Sequence, residues 1–128
     1  MSRRSISTIA KRSIQTRSGR ISFMEKGAGP VALFVHGIVL NPQLVIDELT
    51  ALSDLRHVIS VELLGEGDTD IPPDQDVSAE ANAKMLRHFL RALEIDQVDL
   101  VGNESGCDIA QIFAATHPEC VRSLNRAG

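Results

Sequence analysis

Five consecutive residues, Gly102-Asn103-Glu104-Ser105-Gly106, form the pattern best suited to chemistry in this sequence. A reactive side chain at the centre of a sharp strand-to-helix turn needs small residues two places before and two after it, because the two backbones pass close together. Gly102 and Gly106 meet that demand around Glu104. There a carboxylate faces a helix N-terminus, whose orphan N–H groups and dipole stabilise an exposed anion by roughly 0.3–1 kcal/mol. The chemistry on offer is an ionised oxygen nucleophile. The backbone N–H of Ser105 would supply one donor of an oxyanion hole, and the N–H of Ile38, in the loop opened by His36-Gly37, the second. The plain alternative for Glu104 is a solvent-facing carboxylate that does nothing.

Other reactive residue types give weaker patterns. Ser105 as a serine nucleophile would want glycines where Asn103 and Cys107 stand. His57, His88 and His117 fall at a strand start, within a helix and at a helix end, and no pair has zinc-ligand spacing with a matching third residue, so no metal is expected. Asp68, Asp70, Asp74 and Asp76 are interrupted by Pro72-Pro73 and read as a solvated acidic loop instead of a calcium loop. Gly65-Glu66-Gly67 follows a strand, but Asp70 replaces the third glycine of a dinucleotide fingerprint and prolines replace its helix. No cofactor is expected.

The elements that must position Glu104 can be traced along the chain. Val31-Ala32-Leu33-Phe34-Val35 is a continuous β-prone apolar run closed by His36-Gly37, as in a strand buried on both faces of a parallel sheet. Helical spacing of Val45, Leu49 and Leu52 predicts a short helix over 43–52, and His57 to Glu62 forms the next strand. Residues 65–73 read as a loop. Ser78 is an N-cap with Glu80 in the first turn, and Leu86, Phe89, Leu90 and Leu93 trace the apolar stripe of a helix. A strand over 97–101, the sharp turn and a helix over 107–117 follow. Alternation of this kind specifies a mostly parallel sheet with flanking helices and ligands bound beyond the strand C-termini.

Val35-His36-Gly37, Val58 through Asp70, Leu100 through Gly106 and Ala115-Thr116-His117-Pro118-Glu119, in that order and spacing, resemble the α/β-hydrolase fold family over residues 12–124. Gly-Asn-acid-Ser-Gly resembles the branch with an aspartate nucleophile, which includes haloalkane and haloacetate dehalogenases and epoxide hydrolases. The resemblance implies that Glu104 attacks an alkyl carbon of a small organic halide, epoxide or ester, and that a histidine-activated water releases the product. It also implies that His36 shapes the oxyanion loop. Glutamate is one methylene longer than aspartate, Cys107 stands where a second glycine is common, Leu64 where a proline is common and Glu66 where an aromatic residue is common. The later strands, lid, second acid and histidine base of the family lie beyond this sequence. The expectation is therefore an α/β-hydrolase fold truncated after the elbow helix and inactive as this chain alone.

Composition bounds the rest. The 128 residues carry a formal charge of -4 and 43% hydrophobic content, enough for one core and without the basic excess of a nucleic-acid partner. No run reaches the roughly 18 apolar residues of a membrane span, so a soluble, cytoplasmic protein with no membrane partner is expected. Residues 1–11 form a basic leader before an incomplete core over 12–128. Arg3, Arg4, Lys11, Arg12, Arg17 and Arg20 precede the first acid, Glu25, which admits an organellar transit peptide as an alternative. The stronger reading takes residues 12–26 as two short strands around a Ser18-Gly19 turn. Cys107 and Cys120 lie near opposite ends of the last predicted helix, too far apart for a disulfide. Ending after the elbow helix would leave the strand of Val98, Leu100 and Val101 as an exposed sheet edge, open to self-association or to a complementing chain.

Overall fold

The computed structural model describes residues 6–36, 47, 50–51, 56–64, 69, 74–103 and 106–127. Strands β1 (Ile6–Thr16), β2 (Gly19–Gly27), β3 (Val31–His36), β4 (His57–Val61), β5 (Val98–Asn103) and β6 (Val121–Ala127) form one sheet in the order β1-β2-β4-β3-β5-β6. The β1/β2 and β2/β4 pairs are antiparallel; β3/β4, β3/β5 and β5/β6 are parallel. Helices α1 (Ala79–Ala92) and α2 (Gly106–Thr116) pack on one face of the sheet. The predicted helix over 43–52 lies outside the described residues apart from Asp47, Thr50 and Ala51, which are helical.

Strand β3, the five-residue apolar run and His36, is buried at all six positions. Leu33 and Val35 point toward the helices with Ile59, Val61 and Leu100, while Ala32 and Phe34 join Val58 on the opposite face. The alternation follows from the two-residue period of a strand. On the helix face, Phe23 meets Phe89 edge-on at 5.1 Å between ring centroids, a favoured aromatic geometry.

Helix α1 starts where the sequence predicts. Ser78 Oγ accepts the Ala81 N–H at 3.1 Å, and Leu86, Phe89 and Leu90 are fully buried while Leu93 packs at the core margin. The helix ends in a Schellman turn: the Glu94 N–H bonds to Arg91 O and the Ile95 N–H to Leu90 O. Glu94 holds the left-handed conformation, φ 59°, usually left to glycine.

Three expectations are corrected. Strand β1 begins at Ile6, so the leader boundary drawn at residue 11 falls inside a strand; Ala10 and Lys11 pair with Glu25 and Met24 on β2. Charged side chains on β1 suit an edge strand, which is why the segment looked unlike one. The hairpin loop is Arg17-Ser18, because Thr16 pairs with Gly19 and Thr16 Oγ1 accepts the Ser18 N–H at 2.9 Å. Finally, β5 is not an edge. After α2 and a 3-10 turn over Pro118–Cys120, residues Val121–Ala127 form β6 and cover it, so the described fold extends one strand beyond the elbow helix.

No described helix is long and apolar enough to cross a membrane. Cys107 and Cys120 are both free; Cys120 sits in the 3-10 turn, and burial pushes its thiol pKa up.

Candidate active site

The three parallel strands β4, β3 and β5 end together. Val35 pairs with Val61 on one side and with Gly102 on the other, and His36 pairs with Asn103. Strand β5 stops at Asn103 and α2 starts at Gly106, leaving two residues for the turn. Those two, Glu104 and Ser105, lie outside the described residues, as do Gly37 and Ile38. What the structure supplies is the frame around them.

That frame is tight at both glycines. A Cβ on Gly106 would stand 2.0 Å from the Val35 carbonyl oxygen and 2.7 Å from its carbon. One on Gly102 would stand 2.9 Å from Cys107 Cα and 3.0 Å from Ala110 Cβ. The first residue of α2 therefore rests on the end of β3, and Cys107 and Ala110 lie against β5 at Gly102. Without either glycine the helix could not sit this close.

His36 closes β3 on the face away from α1 and α2, is buried, and stacks on Phe34 with ring centroids 6.0 Å apart. Its cross-strand neighbour Asn103 buries its Oδ1 with no hydrogen-bond partner among the described residues. Sequence reasoning used Asn103 as part of the Gly-Asn-acid-Ser-Gly pattern and gave its side chain no role. A buried acceptor left unpaired costs about 1–3 kcal/mol, which marks this spot beside the turn as polar.

Two polar ties hold the loop that follows β4. Asn82, buried on α1, accepts the Leu64 N–H at 2.8 Å and donates to the Val77 and Ser78 carbonyls. Thr69 Oγ1 accepts the Ser22 N–H and donates to the Glu62 carbonyl, each at 3.1 Å. The rest of the expected acidic loop, residues 65–68 and 70–73, lies outside the described residues. Among the described residues no His, Cys, Asp and Glu cluster could hold a metal ion.

The opposite end of the sheet carries charge that sequence reasoning missed. Asp99 receives Arg122 through Nε at 3.2 Å and Nη2 at 3.0 Å, the Ser123 hydroxyl at 2.7 Å, and Arg56. The Arg122 hydrogen bonds, above all, hold its carboxyl down at about 2. On the helix face Glu25 joins His57 Nε2 at 2.6 Å and Arg12 Nε at 2.8 Å. Both clusters lie at the N-terminal ends of the parallel strands, remote from the turn, and brace the sheet.

A model of the alpha/beta hydrolase fold matches residues 30–124. The chain belongs to the α/β-hydrolase fold family. A 2-hydroxymuconate semialdehyde hydrolase from Pseudomonas sp. (strain CF600) is 36% identical over 111 residues, covering 82% of this chain and 38% of the relative. An epoxide hydrolase 2 from Siraitia grosvenorii is 37% identical over 103 residues, 77% of this chain and 32% of the relative. The crystal structure of a bacterial membrane phospholipase A superposes with a TM-score of 0.85 at 29% identity, over 94% of this chain and 40% of that one. The chain thus spans less than half the length of each.

Proposed function

We propose that this chain carries the nucleophile half of a hydrolase acting on a small organic halide, epoxide or ester, with Glu104 as the nucleophile. The supporting observation is the seat of Gly106 on the Val35 carbonyl, which leaves two residues to turn from β5 into α2. Under this reading a Glu104 carboxylate oxygen attacks an electrophilic carbon. With an epoxide the C–O bond breaks, the oxygen takes a proton from solvent, and a hydroxyalkyl ester remains on Glu104; with a halide the C–X bond breaks and halide leaves with the electron pair. The N–H groups of Ser105 and Ile38 serve as oxyanion donors, within a loop shaped by His36 and Gly37. The epoxide hydrolase likeness favours this chemistry, and the semialdehyde hydrolase likeness keeps the ester alternative in view.

Ester release needs a general base. Beyond the turn the sequence offers only His117, which packs on Phe113 and lies 3.5 Å from Glu119. This chain by itself is therefore proposed to acquire an ester without turning over. Incubating it with styrene oxide and with an alkyl bromide, then measuring intact and peptide mass, tests the reading. An adduct on the Glu104 peptide, lost in Glu104→Gln, is expected. A folded chain with no adduct on Glu104 sinks it.

A second reading, association through the sheet edge, rests on β6. Leu124 is 46% exposed there, beside a cavity of about 210 Å³ lined by Gly102, Cys107, Ala110, Gln111, Leu124 and Asn125. The partner would be a second copy or a complementing chain, docked strand to strand. Size-exclusion with light scattering decides: a monomer at micromolar concentration removes the self-association form.

A further inference from the structure

The loop between β1 and β2 and the outer side of α1 enclose an open pocket of about 470 Å³, lined in part by Arg17, Ser18, Asp76, Glu80, Lys84 and His88. None of these residues belongs to the elbow. Ser18 Oγ lies 2.8 Å from His88 Nδ1, across 70 residues of sequence. The serine is held in place because Thr16 Oγ1 accepts its N–H and donates to the Gly19 carbonyl. Lys84 stands one turn before His88 on α1, on the same helix face.

Arg17 and Lys84 are exposed and make no ion pair among the described residues. Two acids share the pocket, but Asp76 Oδ1 already accepts the Ser78 N–H at 2.9 Å, and Glu80 is an exposed residue of the first helical turn. The field at the imidazole is cationic. Burial first, then Lys84, Arg17, Arg91 and Arg87, hold the His88 pKa below its ordinary value.

We propose that this pocket binds a small oxyanion of the phosphate class, clasped by the Arg17 guanidinium and the Lys84 ammonium. A guanidinium offers a planar fork to two oxygens and an ammonium a point charge, the usual pair for such a group. In this reading neutral His88 carries its proton on Nε2, so that Nδ1 accepts a hydrogen bond from the Ser18 hydroxyl. When the anion arrives, His88 takes a proton from solvent, Nδ1–H donates to Ser18 Oγ, and the Ser18 O–H turns to donate to the anion. Binding and protonation of His88 are then coupled, so affinity rises as pH falls through the titration range of His88.

The test is an NMR titration of the full chain with inorganic phosphate at constant ionic strength, following the His88 ring. A saturable shift is expected, together with a His88 titration midpoint moved upward by phosphate. Lys84→Gln and Arg17→Gln, both at exposed positions, should each weaken phosphate by at least about tenfold, and Lys26→Gln should leave it unchanged. A shift that chloride reproduces at equal ionic strength, or one that survives both substitutions, overturns the proposal. Flotation with phosphatidylcholine vesicles containing phosphatidic acid, without any response to free phosphate, overturns it too, since the site would then read a membrane surface.

Discussion

Replacing Gly106 by alanine should damage the fold at the point where the candidate site is built. The added Cβ would lie 2.0 Å from the Val35 carbonyl oxygen, against an ordinary contact of 3.4 Å or more. Neither partner is a flexible side chain tip, so the first turn of α2 must retreat from β3 by more than an ångström. Overpacking typically costs about 1–3 kcal/mol, and a clash between two backbones belongs at the upper end. Alanine in place of a helical glycine returns up to about 1 kcal/mol, leaving a net loss of about 2 kcal/mol. Gly102→Ala provides the internal scale. Its nearest contacts, Cys107 Cα at 2.9 Å and Ala110 Cβ at 3.0 Å, also require α2 to move, but by about half an ångström, so a smaller loss of about 1 kcal/mol is expected. Urea unfolding of the three proteins measures both values. A Gly106→Ala midpoint indistinguishable from wild type, or a larger loss in Gly102→Ala, would refute the claim that α2 rests on β3. The same retreat would move Glu104, and displacement of about 1 Å can cost about a hundredfold when attack geometry matters. Formation of the Glu104 adduct should slow accordingly.

Two further predictions concern stability away from the turn. Asp99 is held at about 2 against an ordinary 3.8; a lowered folded-state pKa contributes stability fully present above about 3.8 and lost as pH falls toward 2. Screening at the half-exposed Arg56 and Arg122 trims the contribution to about 1–2 kcal/mol. Asp99→Asn should flatten the unfolding free energy between those pH values, and a slope equal to wild type there would count against it. Glu94→Gly should stabilise by about 0.5–1 kcal/mol, because glycine takes the left-handed conformation without the Cβ penalty yet pays more entropy on folding. A lower melting temperature in that variant would contradict the Schellman reading.

The strands and helices around the turn were legible because their signals are local. The apolar run of β3, the Ser78 cap and the stripe of α1 each occupy a short window and need no partner to be seen. Strand β1 was cut short because its charged edge resembles a leader, and β6 was not assigned because the resemblance made Arg122-Ser123-Leu124 only the approach to a next strand. The Asp99 cluster joins residues 43 and 23 positions apart, and the Ser18–His88 pair spans 70; no spacing rule reaches that far. At the site both glycines could be read from the sequence, and Gly102 meets the following helix as a strand-to-helix turn requires, whereas the element under Gly106 could not be read. Gly106 leans on β3, not on the strand that leads into it.

That contact makes β3 a mechanical reference for the elbow. Ala32 and Phe34 lie on the opposite face of the sheet from α2, yet a substitution that tilts β3 there shifts the Val35 carbonyl, and the helix start must follow. The start of α2 at Gly106 is thereby coupled to residues some seventy places earlier in the chain, through backbone alone.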